Sequence, residues 1–281
     1  MSKLKTPLYK KIHHKLSVYK RMVNSGNRSL PNFLIIGAAK SGTTSLFQYL
    51  MQHPNIYAPF KKEIHFFDKH YNKGVKWYQL HFPTTKELES ANTKGITGEA
   101  TPYYLSHPLV PERTRSLLPD VKLIVLLRNP VERAFSNYNH MVRTGFEGET
   151  FERAIELESV RTEGEFSKML NKDYSYSFKH HHYSYLSRSI YHIEISRWLQ
   201  YFKKDDFIFL NSDDLYSNTA ETYQNVLSFL GLEPYKDVHF SKLNSGGDYS
   251  MINEKTKSKL NDFFKPHNEK LFRLIEQQFN W

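Results

Sequence analysis

The 281-residue chain contains no cysteine. Disulfides and thiolate metal sites are thereby excluded, and the chain suits a reducing, cytoplasmic setting. It also lacks any apolar run long enough to cross a bilayer. Phe33-Leu34-Ile35-Ile36 and Leu123-Ile124-Val125-Leu126-Leu127 have the length of buried strands, so no transmembrane segment is expected. Acidic residues are missing from the start: residues 1–30 carry eight Lys or Arg and no Asp or Glu. No secretory-type apolar stretch follows this basic arm.

The chain as a whole carries a formal net charge of +10. Such a surface favours anionic partners: nucleic acid, acidic glycans, anionic lipid or phosphorylated nucleotides. Residues 1–30 read as a basic, solvated extension with peripheral membrane-surface or acceptor contact as its other use. Residues 31–281 read as one domain, with neither an internal repeat nor a linker.

Strands alternate with helices along that domain. Strands are expected at Phe33–Gly37, Ile96–Ala100, Lys122–Leu127 and Phe207–Leu210. Helices are expected at 43–52, 108–118, from Pro130, at 151–159, 190–202 and 219–230. A C-terminal helix over 252–278 should break at Pro266. Residues 61–95 read as loop with short helices, and 161–188 show no clear periodicity. Alternation of this kind predicts an α/β domain of three layers, with a central parallel sheet flanked by helices.

The segment IIGAAKSGTTSL, residues 35–46, places a glycine-bearing turn between strand and helix, which suits an anion. Gly37 and Gly42 have Walker spacing, but Thr43 stands where the Walker lysine belongs, and Lys40 lies inside the loop. Ser41, Gly42, Thr43, Thr44 and Ser45 supply backbone and hydroxyl donors. The strand Lys122–Leu127 is followed by Arg128, not by the aspartate that supports magnesium in nucleotide hydrolases. Both features disfavour a nucleoside triphosphate with magnesium and predict two separated anion sites.

These segments resemble the PAPS-dependent sulfotransferase family. Residues 35–46 look like its 5′-phosphosulfate loop, and LIVLLRNPVERAFSNY, residues 123–138, like its 3′-phosphate segment, with Arg128 and Ser136 at the matching positions. KKEIHFFD, residues 61–68, resembles the catalytic segment of the heparan sulfate (carbohydrate) branch. The resemblance covers roughly residues 31–281 and implies a P-loop-like fold, PAPS as co-substrate, PAP as product and no metal requirement. It implies Glu63 as the base, His65 and Asp68 as its companions, and Lys40 beside the leaving oxygen. An acceptor hydroxyl or amine on a carbohydrate or related small molecule follows, and nucleic acid does not.

Two departures stand out. The branch often carries lysine after the glutamate of a segment like GEATPYYL, where this chain has Ala100. The loop NSGGDYS, residues 244–250, lacks a basic residue, so Ser245, Gly246, Gly247 and Tyr249 offer only backbone and hydroxyl contacts to the 3′-phosphate. In KHHHYSYLSR, residues 179–188, adjacent histidines point apart on any regular element, which favours acceptor contact over a metal. A P-loop nucleoside or sugar kinase and a non-catalytic module binding acidic polymers remain the alternatives.

Overall fold

A computed structural model describes residues 27–90, 95–171, 176–241 and 251–281. Most of the basic extension and the loop bearing Ser245, Gly246, Gly247 and Tyr249 lie outside the described residues. Five strands form one parallel sheet: β1 (Phe33–Gly37), β2 (Ile56–Tyr57), β3 (Ile96–Ala100), β4 (Lys122–Leu127) and β5 (Phe207–Asn211), in the order β2-β3-β1-β4-β5. Outside β3 (ITGEA) their residues are mostly apolar, because both faces are covered. Leu34, Ile36, Leu123, Val125 and Leu127 join one core; Phe33, Ile35, Ile124 and Leu126 join the other.

Helices supply the outer layers. α1 (Thr43–Leu50) follows β1, α2 (Phe66–Lys69) precedes β3, and α3 (Pro130–Arg143) follows β4. After them come α4 (Phe178–Tyr183), α5 (Tyr191–Trp198), α6 (Thr219–Phe229) and α7 (Glu254–Ile275). α1 and α6 cover one face through Leu46, Leu50, Tyr223 and Leu227. α5 and α7 cover the other through Ile195, Trp198, Leu271 and Ile275. From β1 the sheet order runs to β3 on one side and to β4 on the other. That reversal opens a crevice at the carboxyl ends of the two strands, where open α/β sheets bind ligands.

Three expectations need correction. α7 runs through Pro266 without a break. Proline costs one helical hydrogen bond, but Leu260, Phe264, Leu271 and Ile275 remain buried on either side of it, against α3 and α5 among other elements. The region 161–188 holds ordered helices at Glu165–Leu170 and Phe178–Tyr183, too short to display a period. The helix expected at 151–159 is two, Phe151–Glu156 and Glu158–Thr162. The two-residue β2 and the helix Ser212–Ser217 had no signal strong enough to read.

Candidate active site

The first wall of the crevice is the loop leaving β1. A Cβ at Gly37 would lie 2.6 Å from Leu105 Cβ, so the chain beyond β3 passes too close for any side chain. Lys40 (φ 74°) and Gly42 (φ 91°) adopt left-handed conformations that turn the chain into α1. Gly42 is the N-cap residue, and no side chain caps the helix. Thr43, Thr44 and Ser45 of the first turn line a cleft of about 1070 Å³ together with Lys40 and Gly42. Uncapped N–H groups at a helix start attract anions. Ser41 is fully buried behind them, and its Oγ has no hydrogen-bond partner among the described residues. The open helix start fits a phosphate group, while the Ser41 side chain lies behind the cleft lining and not on it.

The second wall is α3. Its N-terminus is capped by Asn129 Oδ1, which accepts from the N–H groups of Val131 and Glu132. Arg128 and Ser136 both line the cleft, as expected. Arg128 also forms the ion pair that its spacing from Glu132 permits, with Nε and Nη2 donating to Oε2 at 3.0 and 2.9 Å. The two side chains are 32% and 49% exposed, so the pair contributes only about 0–1 kcal/mol and yields readily to a phosphate. Positive charge accumulates here: burial lowers the Lys40 pKa, Arg143, Arg128 and Arg133 push it further down, and only Glu63 opposes them. Cations gathered at this density suit an anionic ligand.

Opposite lies the segment with Glu63. The Glu63 N–H donates to the Ala100 carbonyl at 3.1 Å, which pins the segment to the end of β3. Ala100 itself is fully buried. Glu63 (φ 59°) and His65 (φ 58°) are both left-handed, an arrangement that directs both side chains into the cleft while Phe66 and Phe67 fill the core. Beneath them Glu99 is buried. Its Oε1 accepts from Tyr78 OH (2.6 Å) and Tyr104 OH (3.0 Å), and its Oε2 from Thr101 Oγ1 (2.9 Å). Tyr104 OH in turn accepts from the Phe66 N–H at 2.9 Å. A buried hydrogen-bonded network thus sets the backbone that carries Glu63 and His65.

Burial alone would raise the Glu63 pKa. His65 and Lys62 outweigh it, with Lys62 Nζ at 2.8 Å, and hold the carboxyl down at about 2. The side chain remains 48% exposed. For His65 burial acts downward, but Asp68 (Nδ1 to Oδ2, 2.7 Å) and Glu63 raise its pKa above the ordinary histidine value. Asp68 is fully buried and does not reach the cleft. It stands beside His65 as the companion expected of it, from below the cleft surface and not on it.

Further residues line the cleft that sequence reasoning did not single out: Tyr103, His140, Arg143, Arg188 and Lys257. A signal existed for two of them. Ser136, His140 and Arg143 are spaced i, i+4, i+7 and share one face of α3. His140 is held low, at about 4, by burial together with Lys40 and Arg143. The three adjacent histidines of α4 do point apart. His180 meets Tyr103 OH at 2.8 Å, His181 lines the cleft, and His182 packs on Phe146 and Phe178. Among the described residues no group of three or more His, Cys, Asp or Glu is placed to hold a metal.

A strand–loop–helix turn with an open helix start, an arginine just after the neighbouring strand and a carboxylate facing them thus meet in one cleft. The chain belongs to the sulfotransferase domain family, whose model matches residues 30–271, and it is a PAPS-dependent enzyme. It is 30% identical to human heparan sulfate glucosamine 3-O-sulfotransferase 6 over 91% of this chain and 75% of that protein. It is 27% identical to the membrane-associated sulfotransferase kil1 of Dictyostelium discoideum over 90% of this chain, and spans 66% of the length of that relative. A crystal structure of a sulfotransferase from Alicyclobacillus acidocaldarius superposes with a TM-score of 0.71 at 26% identity, covering 89% of this chain and 98% of that one.

Proposed function

We propose that the enzyme transfers the sulfuryl group of PAPS to a carbohydrate hydroxyl by in-line displacement, with Glu63 as the base. The observation that carries this reading is the position of Lys40 and Glu63 in one cleft, Lys40 on the phosphate loop and Glu63 at the end of β3. The α1 start and Lys40 hold the 5′-phosphosulfate. Arg128 and Ser136 hold the 3′-phosphate, with Arg128 released from Glu132. The acceptor hydroxyl approaches Glu63, gives up its proton to the carboxylate and attacks sulfur. The S–O bond to PAP breaks, and Lys40 stabilises the charge growing on the leaving oxygen.

In the free enzyme the Glu63 carboxylate is too acidic to be a strong base, because Lys62 and His65 stabilise its charge. An acceptor that separates Lys62 from it raises its basicity where the proton must be taken. Support for a carbohydrate acceptor comes from the glucosamine sulfotransferases among the relatives. Family membership disfavours the kinase alternative, and Arg128 in place of a metal carboxylate agrees. Labelled PAPS offered with glucosamine-containing oligosaccharides tests the reading. Label should appear on sugar oxygen, with PAP as co-product; label that moves only to water or to protein would overturn it.

A further inference from the structure

His140 stands on α3 one turn beyond Ser136 and one turn before Arg143, and all three line the cleft. The in-line reading gives Ser136 a phosphate to hold and leaves His140 without a task. Its surroundings define its chemistry closely. Arg143 Nη2 lies 3.0 Å from His140 Nδ1. A guanidinium has donors only, so Nδ1 must accept. A neutral imidazole that accepts at Nδ1 carries its proton at Nε2, and the contact therefore fixes the tautomer. Among the described residues Nε2 has no hydrogen-bond partner.

The electrostatics keep the ring in that state. Burial, Lys40 and Arg143 lower the His140 pKa to about 4; Glu63 opposes them, and His182 adds to the lowering. Near neutral pH the ring is thus an uncharged N–H donor in a cleft that otherwise gathers cations such as Lys40, Arg128 and Arg143. Its place matters as much as its state. Lys40 and Glu63 both act on it, with opposite sign, and both line the same cleft. What must pass between Lys40 and Glu63 is a sulfur atom with three oxygens around it. Lys40 attends the leaving oxygen and Glu63 the acceptor, which leaves the sulfuryl oxygens to another donor.

We propose that His140, through its Nε2–H, holds an oxygen of the transferable sulfuryl group, and that this contact lets the enzyme tell PAPS from PAP. The proposal rests on the in-line reading above and deepens it. In the transfer the acceptor O–H proton passes to Glu63, the acceptor O–S bond forms, and the S–O bond to PAP breaks with its electron pair on the leaving oxygen. His140 keeps its proton throughout. A donor without charge orients the group for attack and adds nothing to the cations that hold the nucleotide. Once sulfur has moved, PAP offers no sulfuryl oxygen to Nε2, so the spent product is held by one contact fewer than the donor.

Binding decides this without an acceptor. Calorimetric titration with PAPS and with PAP separates contacts to the sulfuryl group from contacts to the nucleotide. In His140→Phe and His140→Ala, PAPS affinity should fall by about three- to tenfold, the worth of one uncharged hydrogen bond, while PAP affinity stays within about twofold. His140→Gln, whose amide N–H replaces the donor, should recover most of the PAPS affinity. PAP binding by each variant reports that its site is folded. Equal losses for PAPS and PAP, or no loss for either, overturn the proposal, as does a His140→Gln variant that behaves like His140→Ala. The carbohydrate acceptor and the role of Glu63 stand or fall on label transfer, which this measurement does not touch.

Discussion

The two walls of the cleft are built by different means. The proposed donor wall is built at the ends of adjacent strands: the β1 loop with Lys40, the uncapped start of α1, and Arg128 following β4. Its pieces are local, and each lies within a few residues of a strand end. The acceptor wall is made of side chains drawn from distant segments, Glu63 and His65, Tyr103, His181 and Arg188. Its geometry depends on buried supports such as Glu99–Tyr104–Phe66 N–H, and on Glu158, whose carboxylate accepts from the N–H groups of Tyr185, Leu186 and Ser187 just before Arg188. A wall of local pieces at strand ends suits a ligand that presents phosphate; a wall of remote side chains can be rebuilt for a new acceptor without disturbing the first.

The sharpest way to separate the walls is Glu63→Gln. Turnover should fall by about 10²- to 10⁴-fold, the usual worth of a positioned general base, while PAP affinity stays within a few-fold. Calorimetry for PAP and a labelled-PAPS assay check this, and near-normal turnover would transfer the base to another group. Arg128→Ala strikes the donor wall instead. The preference for PAP over 5′-AMP should drop by about ten- to a hundredfold, since a charge-assisted phosphate contact contributes roughly 1.5–3 kcal/mol.

Tyr104→Phe tests whether the acceptor wall depends on its buried support. Removing a hydroxyl that donates to Glu99 and accepts from Phe66 should cost about 1–3 kcal/mol of stability, read by denaturant titration, and slow transfer without changing PAP affinity. The pH profile sharpens the same point. Because Glu63 is held at about 2, the acid limb of kcat/KM should lie below the ordinary carboxylate range. His65→Asn removes a charge that lowers Glu63, so the limb should move upward. Stability follows the opposite sign at His65: its raised pKa stabilises the fold fully below the unfolded value, and that part is lost as pH rises through the folded value. The smallest effect expected is at Glu132→Gln. Freeing Arg128 from an exposed ion pair worth about 0–1 kcal/mol should tighten PAP by no more than about fivefold.

Legibility divided along the same line. Gly37, Lys40, Gly42 and Arg128 were readable because glycine spacing, a displaced lysine and a charged residue after an apolar strand are all local signals, Ser136 was singled out only through the family resemblance, and the parallel α/β fold followed from strand–helix alternation. Glu63 was readable only with the phosphate segments around it. Tyr103 was not, and the loop 179–188 was read as acceptor contact without telling that His181 and Arg188 are its members in the cleft, because nothing within these segments says how they converge. Sequence adjacency to His65 likewise does not tell that the Asp68 carboxylate is buried beneath it.

Lys40, Glu63 and His65 all hold left-handed backbone conformations, which for residues with a Cβ cost of order 1–3 kcal/mol each. The folded chain therefore presents its two proposed reacting side chains from positions where glycine would make the protein more stable and less able. Replacing Glu63 by glycine should raise the melting temperature relative to Glu63→Ala, though neither variant transfers sulfate. Under the proposed function, the strain at these positions is the cost of presenting those side chains to the cleft.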